Sequence, residues 1–161
     1  MTENNPTNGA PDNAGVKIPP PLIFLGCLLV GLGDDSPWLN FQLAETWMMV
    51  IGGLITAAGI VLILKGAPRH KAAGSNVEPW KPTTTIMTDG LYGWSRNPIY
   101  LGMAIIHAGL ALSGGSLAAL VTLAPAILAI RFYVIAREER YLEAKFGDEY
   151  LAYKAKVRRW I

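Results

Sequence analysis

Two polar stretches, separated by apolar sequence, carry the side chains that could do chemistry in this chain of 161 residues. The first is TDGLYGWSRNPIYLG, residues 88–102, in which Asn97 and Pro98 have the residue types of a helix N-cap and first helical position. The free N–H groups and the positive dipole end of such a helix start attract an anion, for example a carboxylate. The second stretch contains Glu138 and Glu139 directly after an apolar run, where their carboxylates either attract a cation or are solvated at a membrane interface.

Four apolar blocks are the elements that must position these two stretches. Apolar residues make up 52% of the chain and charged residues 16%, against about 25% charged residues in a soluble domain. A transmembrane helix needs ~20 residues, and the first block is shorter than that. The blocks are Pro19–Gly33, Thr46–Leu64, Ile99–Leu112 and Leu117–Ala136. We therefore expect an all-α, polytopic membrane helical bundle with about four spans.

The last two blocks are separated only by SGGS, residues 113–116, which favours a tight helical hairpin turn. The two helices then pack antiparallel, and Asn97 and Glu138 lie at the same membrane face. An anion site beside a cation site fits a zwitterion that carries a further positive charge. S-adenosylmethionine, with its carboxylate, ammonium and sulfonium, is such a molecule, and amino acids and phospholipid headgroups are zwitterions too.

Basic residues mark the orientation of the bundle. Eight of the 14 Lys and Arg residues fall from Arg131 onwards, and most others lie between the second and third blocks. The positive-inside rule puts both regions in the cytoplasm, and four spans then put both termini there. The net charge of +2 does not indicate a nucleic-acid partner. A single cysteine, Cys27, and two histidines do not favour a metal site.

The polar ends of the chain predict two different structures. Residues 1–17 hold almost no large apolar side chain, so we expect a disordered tail before a single domain over residues 18–161. After the fourth block, apolar residues at intervals of three or four predict one amphipathic cytoplasmic helix. This helix either rests on the membrane surface or closes over a site. Its apolar stripe consists of Leu142, Phe146, Tyr150, Tyr153 and Val157.

Small residues inside the second and third blocks predict close helix packing, because they let helix backbones approach each other in lipid. Within the third block, His107 is interpreted as a structural hydrogen-bonding residue, with a functional role as the alternative. Arg131 and Arg137 are our candidates for binding an anionic substrate group, although Arg131 also suits snorkelling to the interface. The small residues are Gly52, Gly53, Ala57, Ala58, Gly59, Gly102, Ala104, Ala108 and Gly109.

The pairing of GLYGWSRNPIYLG with REERYLEAKFGDEYLAYKAKVRRW resembles the integral membrane methyltransferases of the isoprenylcysteine carboxyl methyltransferase and phospholipid N-methyltransferase superfamily. The resemblance covers residues 83–160 and implies S-adenosylmethionine as cofactor, bound at the cytoplasmic end of the bundle. Asn97 stands where the isoprenylcysteine branch usually has His, so a titrating role is not expected there. The implied cofactor contacts are Thr84, Thr85, Ile86, Met87, Tyr92, Asn97, Pro98, Ile99, Tyr100, Glu138 and Glu139.

The sequence therefore predicts an S-adenosylmethionine-dependent membrane methyltransferase that acts on a hydrophobic, lipid-like or isoprenoid acceptor. Membrane lipids are its expected surroundings. No catalytic base is named, since a carboxylate or free amine acceptor needs none. Two alternatives stay open: a non-enzymatic membrane scaffold or assembly protein, and a nicotinamide-dependent reductase on a related bundle. The absence of a GxGxxG loop argues against the reductase.

Overall fold

The computed structural model describes residues 12–34, 36, 46–72, 76 and 78–161, with residues 69–72 described by their backbone alone. Within this part of the chain the fold is all-helical, as predicted. A 3₁₀ helix, Gly90–Gly93, precedes α3, and a π-helical segment, Ile130–Ile135, joins α4 to α5. The α-helices are α1 (Pro20–Leu32), α2 (Thr46–Ala72), α3 (Pro98–Ser113), α4 (Leu117–Ala129), α5 (Ala136–Phe146) and α6 (Asp148–Lys156).

The four predicted apolar blocks correspond to α1, α2, α3 and the continuous helical stretch from α4 to α5. Two stretches are long and apolar enough to cross a membrane: Thr46–Pro68, with 23 residues, and Leu117–Phe146, with 30 residues. The helices α1 and α3 are apolar but have only 13 and 16 residues, fewer than the ~20 of a usual span. The described residues thus contain two candidate spans, and an arrangement with four spans stays a prediction.

Large apolar side chains cover the outside of the bundle. Leu54 on α2 is 67% exposed and Phe132 in the π-helical segment is 65% exposed, and Leu25 and Leu29 on α1 are exposed as well. An apolar surface of this extent marks a contact with lipid or protein, because soluble monomers rarely expose such patches. A hydrocarbon environment accounts for it directly.

Glycines set the close packing of α2 on α3, as the pattern of small residues predicts. A Cβ atom on Gly59 would lie 2.7 Å from the carbonyl oxygen of Gly102, and one on Gly109 would lie 2.6 Å from the backbone nitrogen of Thr56. Backbone atoms cannot move aside as a flexible side chain does. The two helices therefore approach each other at a distance that only glycine permits at these positions.

Replacing Gly59 by leucine will separate α2 from α3 and destabilise the fold. Overpacking a close contact typically costs about 1–3 kcal/mol, and here the obstacle is backbone. Gly53 is the matched control, because a Cβ atom there would meet nothing within 4 Å. Thermal unfolding in detergent should show a lower midpoint temperature for Gly59→Leu than for the natural chain. The midpoint of Gly53→Leu should equal that of the natural chain. Equal midpoints would contradict the packing described here.

The predicted hairpin of α3 and α4 is confirmed, and it also holds α1. The Ser116 hydroxyl accepts a hydrogen bond from the N–H of Ala119, 3.0 Å away, and so caps α4. It donates to the carbonyl of Gly31 at 3.0 Å. The buried His107 lies with Nε2 2.8 Å from the Ala119 carbonyl oxygen, which confirms its interpretation as a structural hydrogen-bonding residue.

Residues 12–17 differ from the predicted disordered tail. Val16 is only 3% exposed and packs in the core beside Phe24 and Tyr100. The backbone N–H groups of Lys17 and of the following residue donate to the Tyr133 hydroxyl. One apolar side chain and backbone hydrogen bonds order this segment, and composition alone does not reveal them. Residues 1–11 of the predicted tail lie outside the described residues.

The predicted single C-terminal helix is wrong, since the chain breaks at Gly147 between α5 and α6. Gly147 has φ of +53°, a left-handed conformation that favours glycine. The predicted apolar stripe continues across this break: Tyr150, Tyr153 and Val157 are buried together, and Leu142, Phe146 and Ile86 pack against them. Of the two arrangements left open by the sequence, the stripe therefore adopts the one that closes over residues near the start of α3.

Candidate active site

A cavity of about 210 Å³ lies at one end of the bundle, where the starts of α1 and α3 meet α5 and α6. It brings together all of the predicted cofactor residues except Thr84. Those that line it are Thr85, Ile86, Met87, Tyr92, Asn97, Pro98, Ile99, Tyr100, Glu138 and Glu139. The two polar stretches of the sequence therefore converge on one site, although 35 residues separate them along the chain.

Glu138 is the available carboxylate of the cavity. Its Oε1 accepts a hydrogen bond from the Tyr100 hydroxyl at 2.6 Å, which joins α5 directly to the first turn of α3. Among the described residues, no cation pairs with this carboxylate. Its second oxygen is therefore able to accept a charged donor from a ligand.

Glu139, by contrast, is already paired with two arginines. Its Oε1 lies 3.0 Å from Nη2 of Arg96 and 2.9 Å from Nε of Arg159, and its Oε2 lies 2.6 Å from Nη2 of Arg159. The side chains of Glu139 and Arg96 are each 9% exposed. Successive helical positions point about 100° apart, so the two glutamates face different partners. Glu139 thus joins the C-terminal tail, residues 157–161, to Arg96 just before α3.

Asn97 occupies the N-cap position of α3 and Pro98 its first turn, as predicted, but the side chain of Asn97 makes no capping hydrogen bond. Its Nδ2 donates instead to the backbone carbonyl of Arg159 at 2.8 Å, and no side chain caps this end of the helix. Because Pro98 lacks an N–H group, the orphan donors of the first turn are those of Ile99 and Tyr100. Both residues line the cavity, so the helix end retains its attraction for an anion.

The helix α6 holds the 3₁₀ helix against the cavity. The Tyr153 hydroxyl donates a hydrogen bond to the carbonyl of Tyr92 at 2.7 Å. Burial raises the pKa of Tyr153 to about 12, so the hydroxyl stays protonated and donates at neutral pH. Both residues line the cavity, and this hydrogen bond fixes one of its walls.

Removing the hydroxyl of Tyr153 by the change to phenylalanine will destabilise the fold, because it leaves the Tyr92 carbonyl without this donor. A buried acceptor left unsatisfied costs about 1–3 kcal/mol. Tyr150→Phe is the matched control, since the Tyr150 side chain is also buried and its hydroxyl makes no hydrogen bond to the described residues. Denaturant unfolding in detergent compares the two variants. A Tyr153→Phe protein as stable as Tyr150→Phe would show that the hydrogen bond contributes nothing.

The structure does not bring Arg131 and Arg137 to the cavity. The Arg137 guanidinium lies 4.4 Å from the centre of the Tyr133 ring and donates to the Tyr133 carbonyl at 3.0 Å. Arg131 is exposed, with its guanidinium 5.5 Å from the Phe132 ring. Their role in substrate binding stays a prediction, and any such contact would lie outside this cavity.

Several lining residues were missed by the sequence reasoning. Ala14, Trp80, Tyr141 and Met103 line the cavity, and Arg159 supports it through Glu139. The basic residues of the tail indicate topology, but charge alone does not reveal which of them has a buried partner. Only Met103, one turn beyond Tyr100 on the same helix face, could have been inferred from helical spacing.

The sequence model of the phospholipid methyltransferase family matches residues 47–149, more than half of the chain. The chain belongs to this family. The match confirms the superfamily predicted from the two motifs, and it runs from α2 into α6, across both sides of the cavity. The family is one of integral membrane methyltransferases, which fits the apolar helices of the fold.

Individual relatives agree with the family. The chain is 29% identical over 135 residues to protein-S-isoprenylcysteine O-methyltransferases of Rattus norvegicus and Homo sapiens, which is 76% of this chain and 47% of theirs. A stretch of 35 residues is 69% identical to an uncharacterized protein of Haemophilus influenzae, 22% of this chain and 56% of that protein. The chain spans about half the length of the curated relatives it matches. No solved structure matches it significantly.

Proposed function

We propose that the protein is an S-adenosylmethionine-dependent methyltransferase that acts on a hydrophobic, lipid-like acceptor within the membrane. The observation that carries the proposal is the cavity in which the available carboxylate of Glu138 lies beside the uncapped start of α3. Membership of the phospholipid methyltransferase family supports it independently.

The lining of the cavity fits a cationic group, a carboxylate and the apolar parts of this cofactor. The free oxygen of Glu138 suits a cationic group, and the N–H groups at the start of α3 suit a carboxylate. Ile86, Met87 and Tyr150 supply apolar and aromatic surface for a nucleoside and a thioether chain. When bound, S-adenosylmethionine would supply an electrophilic methyl group: a bond forms between the acceptor's nucleophilic atom and the methyl carbon as the bond from that carbon to sulfur breaks, and sulfur keeps the electron pair.

The residues of this chain position the reactants and exclude water. The Tyr100 hydroxyl fixes the orientation of the Glu138 carboxylate. The hydrogen bond from Tyr153 to Tyr92 holds α6 over the cavity, which removes water from the site and strengthens each electrostatic contact inside it. Proximity and orientation lower the barrier for such a displacement, so no general base is assigned.

An acceptor from the lipid reaches the cavity between α1 and α2, along the face of α3 on which both helices pack. The cavity extends to Pro20 and Pro21 at the start of α1 and to Met103 on α3, all apolar residues. Both α1 and α2 pack on α3 without packing extensively on each other. Prenylated cysteine, a phospholipid amine, a quinone-like or terpenoid lipid and a small hydrophobic acid or thiol all suit this route.

The cavity end of the bundle is proposed to face the cytoplasm. The starts of α1 and α3 lie at this end, as do the segment 12–18 and the C-terminal tail, which contacts Asn97 and Glu139. Basic residues are concentrated here, and the positive-inside rule assigns them to the cytoplasm. Both termini are then cytoplasmic, and four spans require the short helices α1 and α3 to cross in a locally thinned bilayer.

A methyl-transfer assay tests the function. The purified full chain is incubated in lipid bilayers with S-adenosylmethionine labelled in its methyl group and with a total membrane lipid extract. We expect label in the organic phase, inhibition by S-adenosylhomocysteine, and one labelled acceptor whose identity then decides the substrate class. A chain that neither binds the cofactor saturably nor transfers label would favour the membrane scaffold.

A further inference from the structure

Residues 12–18 form a strap across one side of the cavity. The strap leads from the N-terminal side into α1, and its Ala14 is a lining residue. The backbone N–H of Ala14 donates to the carbonyl of Pro79 at 3.2 Å, so the strap lies directly against the segment that forms the neighbouring wall. Nothing in the family's two motifs accounts for this segment, because it lies outside residues 47–149.

Two anchors hold the strap at its ends. At the first, the Asp12 carboxylate accepts hydrogen bonds from Lys145 at 2.6 and 2.8 Å and from the Tyr141 hydroxyl at 2.7 Å. The hydrogen bond from Lys145, and to a smaller extent that from Tyr141, lowers the pKa of Asp12. The carboxylate is therefore ionised at neutral pH. At the second, the Tyr133 hydroxyl accepts the N–H groups of Lys17 and Ile18 at 3.0 and 3.2 Å.

The strap is also connected to the reactive part of the cavity. Between the two anchors, Val16 is buried in the same apolar cluster as Tyr100, whose hydroxyl donates a hydrogen bond to Glu138. At the first anchor, the Tyr141 hydroxyl also accepts the N–H of Thr83 at 3.1 Å and thereby joins the strap to the loop that lines the cavity. A displaced strap would therefore open the cavity beside the residues proposed to hold the cofactor.

The strap is held more weakly than the C-terminal side of the cavity. Its ion pair is open to solvent, with the Asp12 side chain 58% exposed. The opposite side is fixed by Glu139 and Arg96, which are nearly buried. Exposed ion pairs contribute little and are screened by salt, whereas removing one partner of a buried pair is strongly destabilising. Opening thus requires less free energy at the strap than at the C-terminal tail.

We propose that residues 12–18 are a mobile wall of the ligand site: the seated strap retains S-adenosylmethionine, and the strap leaves its place to let the ligand exchange with the cytoplasm. The proposal rests on the proposed function and deepens it, because it assigns the route of the cofactor as distinct from the lateral route of the acceptor. The proposal about the strap changes neither the reaction nor the cofactor given under the proposed function.

Charge reversal at the first anchor tests the strap. Radiolabelled S-adenosylmethionine is bound to the full chain in detergent, and its dissociation rate is measured after an excess of unlabelled ligand is added. Asp12→Lys places a second cation beside Lys145 and should speed dissociation about two- to fivefold, the range expected from an exposed ion pair. The double reversal, Asp12→Lys with Lys145→Asp, restores an attraction and should return the rate towards that of the natural chain.

Two further variants make the result specific. Asp148→Lys, which makes the same charge change at an exposed position in α6, should leave the rate unchanged. Tyr133→Phe removes the acceptor at the second anchor without any change of charge, and should also speed dissociation.

Unchanged rates for both Asp12→Lys and Tyr133→Phe, with normal binding by the natural chain, would overturn the strap and leave the proposed function standing. A rate in the double reversal that stays as fast as in Asp12→Lys would equally contradict the ion pair as a fastening. A natural chain that binds no S-adenosylmethionine at all would overturn the proposed function, and the strap's role as a gate would fall with it.

Discussion

Replacing Glu138 by glutamine will lower the affinity for S-adenosylmethionine about 10- to 100-fold and leave the fold intact. Glutamine retains the shape of the side chain, and its amide oxygen still accepts the hydrogen bond from Tyr100. It lacks the negative charge for the cationic part of the ligand. Hydrogen bonds to charged groups contribute about 1.5–3 kcal/mol, and about 1.4 kcal/mol is a tenfold change in affinity.

Calorimetric titration of the purified variants measures this effect. Glu143→Gln is the matched control: Glu143 also lies on α5 and pairs with Lys154, but it is not among the lining residues. Its affinity should equal that of the natural chain. If Glu138→Gln binds the cofactor as tightly as Glu143→Gln, the carboxylate of Glu138 does not contact the ligand, and its hydrogen bond with Tyr100 is structural.

Replacing Glu139 by glutamine will mainly lower the free energy of unfolding. The change removes the charge that Arg96 and Arg159 share, and Arg96 has only 9% of its side chain exposed. Breaking a buried ion pair by removing one partner costs about 3–5 kcal/mol, because the remaining charge is left without compensation. The tail residue Arg159 also accepts the hydrogen bond of Asn97, so its release loosens the start of α3.

Denaturant unfolding in detergent gives the free energy for this variant. Glu143→Gln again serves as the control, because the pair of Glu143 with Lys154 is about one-third exposed on both sides and should contribute about 1 kcal/mol or less. We expect a clear order, with Glu139→Gln far less stable than Glu143→Gln. Equal stabilities would mean that the two arginines do not hold the tail through Glu139.

Local sequence signals were enough to predict the helical framework. The bounds of α3 follow from Pro98 and from the SGGS turn, because proline fixes a helix start and small polar residues end the helix. The glycines of α2 and α3 predicted the close contact that Gly59 and Gly102 make. These features depend on the helix preferences of neighbouring residues or on a recurring residue type, and both can be read from the sequence.

The features that the sequence did not reveal all depend on contacts between distant segments. Asn97 has the residue type of a helix cap, but the carbonyl of Arg159, 62 positions away, takes its amide instead. Glu138 and Glu139 form one acidic pair in the sequence, and only the position of Arg96 and Arg159 separates their roles. The neighbouring residues in the sequence do not indicate which distant partner a side chain contacts.

The strap and the C-terminal helices illustrate the same limit. The composition of residues 1–17 favours disorder, yet Val16 fills a place in the core that α1 and the π-helical segment create. Similarly, the apolar stripe after residue 137 predicts helix but gives no weight to Gly147, whose positive φ lets the chain turn between α5 and α6. The place of Val16 depends on the surrounding surface, whereas the break at Gly147 has a local signal, because glycine commonly ends a helix.

Hydrogen–deuterium exchange of the full chain in lipid nanodiscs, with and without S-adenosylmethionine, tests whether the ligand binds in this cavity. We expect the ligand to slow exchange in residues 83–100 and 138–153, which hold most of the lining residues, and to leave residues 50–61 of α2 unchanged. Saturable binding that slows exchange elsewhere in the chain, but in neither of these two segments, would contradict the site.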